Sequence, residues 1–102
     1  MSRVVNLRDF PGKGFARILP PDVVWVARPS RWGNPWKIGE PDPVTREPMD
    51  RDRVLELYRG WITFHLDGVP EHYRAPLVGM RYGCWCAPLP CHADILAELV
   101  PW

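Results

Sequence analysis

The sequence predicts one small α/β domain, in which a mostly parallel, three-stranded sheet packs with two to three helices. The chain has 102 residues, so residues 1–102 have room for a single domain only. Two apolar segments of strand length, 22–27 and 78–86, flank a segment of helical period. A strand, a helix and a strand in this order form a crossover unit, whose strands are parallel and whose connection is right-handed.

The elements are predicted in the order β, β, α, β, α, and the first two are short strands. Residues 3–7 are rich in β-branched side chains. Residues 22–27 form an apolar run between prolines, which is typical of a strand covered on both faces. Residues 28–49 form a long loop with five prolines, and loops of this length are usually functional or mobile.

The second half of the chain predicts two helices and a third strand. Asp50 is placed to cap a helix that runs to about residue 66. This helix has one apolar stripe, which comprises Val54, Leu57, Tyr58, Trp61, Ile62 and His65. Residues 71–75 add one turn, and residues 78–86 predict a strand that two glycines weaken. A last helix opens at residue 91 or 92 and continues to about residue 100.

Composition and charge narrow the classes of function. Hydrophobic residues make up 46% and charged residues 25% of the chain, as in ordinary soluble globular domains. Thirteen Lys and Arg against twelve Asp and Glu give a net charge of +1, which favours a local anion site over a track for a polyanion. Eleven of the thirteen cations are arginine, which captures phosphate or carboxylate through two parallel hydrogen bonds.

Targeting and cysteine signals predict a cytoplasmic protein with no membrane partner. No window of about eighteen consecutive apolar residues is present, and the N-terminal residues lack the pattern of a signal peptide. The three cysteines lie within residues 84–91, whereas a disulfide framework spreads its cysteines along the chain. We therefore expect a reducing compartment and a local cysteine site.

Two loops have the least ordinary composition, and each follows a predicted strand. They are residues 28–35, Arg-Pro-Ser-Arg-Trp-Gly-Asn-Pro, and residues 86–92, Cys-Ala-Pro-Leu-Pro-Cys-His. In a parallel sheet, ligands bind off the carboxyl ends of the strands. We therefore expect the two loops to meet at one edge of the sheet and to form one site.

The first loop supplies four candidate ligand-binding residues, which are Arg28, Ser30, Trp32 and Asn34. Their guanidinium, hydroxyl and amide groups bind polar atoms, while the indole stacks or forms a wall. This set suits a ligand with an anionic group and a ring, such as a nucleotide or a base. The alternative is a rigid turn, in which Ser30 and Asn34 bond their own backbone while Trp32 covers the core.

The second loop, with the pattern Cys-x-Cys-x4-Cys-His, leaves three interpretations open. Its candidate metal ligands are of the types that Zn²⁺ prefers, although their spacing is irregular, and they are Cys84, Cys86, Cys91 and His92. Alternatively, Cys91 opens a helix, whose N-terminus lowers the pKa of a thiol, so that Cys91 is a nucleophile with His92 as its base. In the third interpretation the cysteines are small buried core residues.

The same segments resemble a known family. Residues 4–6 (Val-Val-Asn), 28–35 and 84–92 are similar to motifs of the small phage and bacterial proteins that share domain of unknown function 4326. The chain differs at Ala27 and Ala93, where that family often has glycine. The resemblance covers nearly the whole chain and implies a phage or bacterial, intracellular origin, but it supplies no activity.

Together these observations predict a small accessory protein with a site for a nucleotide or nucleic acid. Whether a reaction is catalysed stays open. For an enzyme, the residue types favour metal- or thiol-assisted transfer or hydrolysis at a base or a ribosyl unit, with Cys91 and His92 as catalytic residues. The alternative is a non-enzymatic interaction module, in which both motifs are structural and exposed tryptophans bind a partner such as a host protein.

Overall fold

A parallel three-stranded sheet organises the molecule. A computed structural model describes residues 3–14, 17–87 and 89–102. The strands are β1 (Val4–Asn6), β2 (Val23–Trp25) and β3 (Arg81–Cys84). Their spatial order is β1-β3-β2, and both neighbouring pairs are parallel. The predicted α/β class and the parallel sheet are confirmed.

The central strand is β3, and not the segment 22–27 that the apolar run singles out. β2 is an edge strand of three residues, of which only Val23 is buried. β3 has a neighbour on each side, and residues 82–84 are all buried. The run is apolar at its end because Val26 and Ala27 enter the core beyond the strand. The expectation that this strand is covered on both faces is therefore wrong.

Gly83 allows a close approach of side chains to the central strand. A Cβ atom built on Gly83 would lie 2.5 Å from Cδ2 and 3.2 Å from Cγ of Leu7. Leu7 has no exposed surface and directly follows β1, so its side chain packs onto the backbone of β3. The glycine that weakens the strand pattern in the sequence is thus required by the packing.

The described residues form three α-helices, namely α1 (Arg51–Gly68), α2 (Pro70–Tyr73) and α3 (His92–Leu99), of which α3 packs against β1 and β3 while α1 packs against α2 and α3. The predicted cap of α1 is confirmed, since the Asp50 carboxylate accepts the backbone N–H of Arg53 at 2.8 Å. The buried face of α1 comprises Val54, Tyr58, Ile62 and Leu66. Among the described residues, no helix is long and apolar enough to cross a membrane.

The start of α3 is held by a reciprocal pair of hydrogen bonds. The Cys91 sulfur accepts the backbone N–H of Ala93 at 3.5 Å, and the Asp94 carboxylate accepts the N–H of Cys91 at 2.9 Å. This arrangement is a capping box, in which Cys91 takes the position that serine or threonine usually has. The cap fixes Cys91 and His92 just beyond the end of β3.

The long loop after β2 is anchored to α1 through its second half. Pro41 and Pro48 form an isolated antiparallel bridge. Asp42 is only 4% exposed, and its carboxylate accepts two hydrogen bonds from Arg53 of α1, at 2.5 and 3.3 Å. The first half of the loop, residues 28–38, contributes to the candidate site.

Candidate functional site

The two predicted loops meet at the carboxyl edge of the sheet. Arg28 and Asn34 share a cavity of about 280 Å³ with Cys86, Cys91 and His92. A second cavity, of about 310 Å³, is lined by four of the same five residues, without Cys91. The expected juxtaposition of the two segments is confirmed.

Arg28 stands at the centre of this region, because its loop folds back around it. Its Nη1 donates to the carbonyl oxygens of Asn34 at 3.0 Å and Trp36 at 3.4 Å. A Cβ atom on Gly33 would lie 2.9 Å from Cγ and 3.0 Å from the backbone N and Cα of Arg28, so only glycine fits there. Within the described part of the chain, Nε and Nη2 of Arg28 have no hydrogen-bond partner, which leaves them available to a ligand.

Trp32 does not face the cavities. It is 8% exposed, and its indole N–H donates to the carbonyl oxygen of Tyr73 at 2.8 Å. Its own carbonyl oxygen accepts the hydroxyl of Tyr58 at 2.6 Å. Trp32 is therefore part of the core and ties the loop to α1 and α2, as the alternative interpretation of a rigid turn describes.

The side chains of Asn34 and Ser30 differ in their hydrogen bonding within the described part of the protein. Asn34 borders both of these cavities and a third one of about 570 Å³ beside them, but its amide donates to the Val54 carbonyl at 3.1 Å and accepts the Trp36 N–H at 2.9 Å. Ser30 borders the largest of them, and its buried hydroxyl oxygen has no partner among the described residues. Asn34 thus shapes the loop, whereas the Ser30 hydroxyl is still free to bond.

The ring of His92 is held in one tautomer. Its Nε2 lies 2.7 Å from the Val26 carbonyl oxygen, which can only accept, so Nε2 carries the proton and donates. Nδ1 is then an acceptor, 3.4 Å from Sγ of Cys91. Burial lowers the pKa of His92, and the charge of Arg28 acts in the same direction. At neutral pH, His92 is therefore a neutral acceptor beside a thiol.

The thiols of Cys84 and Cys91 are 1% and 3% exposed and interact with each other. Hydrogen bonding with Cys91 lowers the pKa of Cys84, while the same contact and burial raise the pKa of Cys91. The neighbouring sulfur and the loss of water thus oppose the lowering of the Cys91 pKa that the helix N-terminus was expected to give. The catalytic role of Cys91 and His92 stays a prediction.

The four candidate metal ligands are not gathered around one point. β3 ends at Cys84, so the strand alternation that would place Cys84 and Cys86 on one face does not continue. Over residues 3–14, 17–87 and 89–102, no three His, Cys, Asp or Glu side chains are placed to hold one metal ion. The zinc site stays a prediction from residue type, and this arrangement of side chains does not support it.

A third cavity, of about 570 Å³, adjoins the other two and shares Arg28 and Asn34 with them. We refer to the three cavities together as the Arg28 groove. Six of its charged or aromatic lining residues were not placed in the site by sequence reasoning, and these are Arg31, Lys37, Arg51, Trp61, Tyr73 and Trp85. Arg31 and Lys37 could have been found, because both lie in or next to the singled-out loop.

Trp61 and Tyr73 could not have been found in this way. The helical stripe predicts Trp61 in the core, but its indole is half-buried between the rings of Trp36 and His65, at 6.3 and 4.5 Å between centroids. Tyr73 reaches the groove because α2 contacts α1, a packing that no local pattern encodes. These rings give the groove an aromatic wall.

The Arg28 groove has no negatively charged lining residue. None of the described residues that border its three cavities is Asp or Glu. Four are cations, namely Arg28, Arg31, Lys37 and Arg51, and none of the four pairs with a carboxylate in the described part of the chain. A concave surface lined by one sign of charge concentrates ligands of the opposite sign.

Comparison with known proteins places the chain in a family. A family model described as a domain of unknown function, DUF4326, matches residues 13–102. The chain is also similar to the "Uncharacterized 12.4 kDa protein in nrdA-td intergenic region" of Enterobacteria phage T4, with 31% identity over 77 residues. The match covers 74% of this chain and 64% of that protein. No solved structure matches. The predicted resemblance is confirmed, and the chain belongs to the DUF4326 family.

Proposed function

We propose that the protein binds a nucleotide in the Arg28 groove. The observation that carries the proposal is the combination of four unpaired cations and an aromatic wall in a groove without carboxylates. Guanidinium groups bind phosphate through two parallel hydrogen bonds, and flat rings pack against bases. The groove also lies off the carboxyl ends of parallel strands, where α/β proteins bind their ligands.

The parts of the ligand can be assigned to parts of the groove. The phosphate would lie against the free Nε and Nη2 of Arg28, near Arg31 and Lys37. The base would pack against Trp61 and Tyr73, which line the same cavity.

Titration calorimetry with thymidine monophosphate tests the proposal. We expect Arg28→Gln to weaken binding by about tenfold or more, because it removes the charge-assisted hydrogen bonds that Nε and Nη2 would donate to the phosphate. Arg46→Gln is the matched control, because Arg46 is an exposed arginine that lines none of the described cavities. Binding of unphosphorylated thymidine should be weaker and insensitive to Arg28→Gln. Equal affinity of the two variants for the monophosphate would contradict the proposal, and absence of all binding would favour the interaction module.

Thiol-assisted transfer or hydrolysis at the ligand is a second candidate, and one contact favours it. Sγ of Cys91 lies 3.4 Å from an acceptor nitrogen of His92, at the edge of the same groove. Chromatography of nucleotides incubated with the protein would show a product that Cys91→Ser abolishes and Cys86→Ser does not. Turnover that persists in Cys91→Ser would exclude this mechanism.

A further inference from the structure

The net charge of +1 does not distinguish the cations that are paired or buried from those that form no ion pair. Arg53, Arg59, Arg74 and Arg81 each pair with a carboxylate. Arg3 is buried against backbone carbonyls. The other cations form no ion pair within the described part of the chain, so their charge is available at the surface.

Six of these unpaired cations either line the Arg28 groove or contact Trp85, a residue that borders it. Four of them line the Arg28 groove, as described above. The cavity at the end of the groove is also lined by Trp85. The guanidinium groups of Arg8 and Arg17 lie over the Trp85 ring, at 5.2 and 5.1 Å from its centroid. The indole of this bordering residue therefore contacts two more cations.

Carboxylates border this surface but do not enter it. Asp9 and Asp94 line a neighbouring cavity of about 420 Å³, at the end of β1. Asp52, Glu56 and Glu98 line a different cavity between α1 and α3. These five carboxylates thus lie in cavities outside the Arg28 groove.

We propose that this surface binds single-stranded nucleic acid, with one nucleotide in the Arg28 groove and neighbouring phosphates on Arg8 and Arg17. The inference rests on the proposed function and extends it from a mononucleotide to a strand. Cations that follow a backbone, together with aromatic rings that pack against bases, are the features that bind single strands. A duplex keeps its bases stacked inside, where the half-buried rings of the groove do not reach them.

Fluorescence anisotropy with a labelled oligothymidylate of about twelve nucleotides tests the inference. For the unmodified protein, we expect the logarithm of the binding constant to fall with the logarithm of salt concentration with a slope steeper than about −2, as for three or more phosphate contacts. The double variant Arg8→Gln/Arg17→Gln should bind the oligonucleotide at least about tenfold more weakly and reduce the slope by about 1.4. Arg46→Gln should leave the oligonucleotide affinity and slope nearly unchanged.

Thymidine monophosphate separates this inference from the proposed function. The double variant should bind the monophosphate with the same affinity as the unmodified protein. Arg28→Gln should weaken the binding of both the monophosphate and the oligonucleotide. If the monophosphate binds but the oligonucleotide binds no more tightly, the strand inference is overturned and the nucleotide site stands. If neither binds, both are overturned. Tighter binding of a duplex of the same length, or a slope near zero, would also overturn the strand inference.

Discussion

At Gly33 the candidate site depends on the absence of a side chain. The backbone passes so close to Arg28 that a Cβ atom would overlap its N, Cα and Cγ. Glycine is needed at this position because of this close approach. Gly33 therefore sets the position of the guanidinium at the centre of the groove.

Gly33→Ala should displace the loop. We expect a loss of about 1–3 kcal/mol in the free energy of unfolding, as for other overpacked sites, and weaker nucleotide binding. Gly60→Ala is the control, since Gly60 lies in α1 and an added Cβ there meets no atom within 4 Å. That change should stabilise the protein by about 1 kcal/mol. Urea unfolding measures the change in the free energy of unfolding for each of the two variants. A Gly33→Ala variant as stable as the unmodified protein would contradict the close approach.

Asp42 gives the stability a defined dependence on pH. Hydrogen bonds from Arg53, then from the backbone of Val44 and Thr45, lower the pKa of Asp42 to about 2 from 3.8. A lowered pKa in the folded state stabilises the protein above pH 3.8, and this contribution is lost as the pH falls toward 2. The difference in unfolding free energy between the unmodified protein and Asp42→Asn should therefore be constant above about pH 4 and shrink below it.

Urea unfolding between pH 2 and 6 tests this expectation for Asp42. Asp22, whose pKa is also lowered by Arg81, titrates in both proteins and cancels in the difference. A difference that grows as the pH falls would show that Asp42 is not held as a paired carboxylate.

Among the elements, those with local signals were predictable and those set by packing were not. The helical period and the Asp50 cap identified α1, and Cys91 or His92 was correctly placed at the start of α3. The crossover rule placed two loops at one edge, which is the basis of the candidate site. The strand order was not predictable, because β3 pairs with β1 over a long sequence separation that no local pattern encodes. Trp32 was misplaced for a similar reason, since its partners lie on α1 and α2.

The ends of β1 and α3 are joined by Arg3. This arginine is 8% exposed, and its guanidinium donates to the carbonyl oxygens of Met80 at 3.0 Å and Pro101 at 2.7 Å and to the hydroxyl of Tyr82 at 2.7 Å. It also bonds the carbonyl of Val100 at the end of α3. Carbonyls at a helix C-terminus attract cations, which explains a buried arginine without a carboxylate partner.

Arg3→Met should destabilise the fold strongly. Methionine fills similar space but leaves several buried carbonyls without a donor, so we expect a loss of about 3 kcal/mol or more. Arg46→Met, at an exposed site, should change the stability by less than about 0.5 kcal/mol. The midpoints of urea unfolding give the comparison. An equal effect of the two changes would show that Arg3 does not join the chain ends.

For the whole molecule, the positions of the charged residues are more informative about ligand binding than the net charge. The balance of thirteen cations against twelve acids led to the expectation of a local anion site without a polyanion track. The structure pairs four arginines with carboxylates and gathers four unpaired cations in the Arg28 groove. Only the fold determines which charges are neutralised locally, so net charge could not predict this asymmetry.

The central claim is that the Arg28 groove binds phosphate-bearing nucleotides, and NMR titration tests it most directly. Thymidine monophosphate added to ¹⁵N-labelled protein should shift the resonances of Arg28, Lys37 and His92, including the Nε–H of Arg28. Asp22 and Arg81 form an ion pair at the amino-terminal ends of β2 and β3, which are the ends away from the groove. Their resonances should stay in place. Shifts confined to that pair, or no shifts at all, would contradict the account.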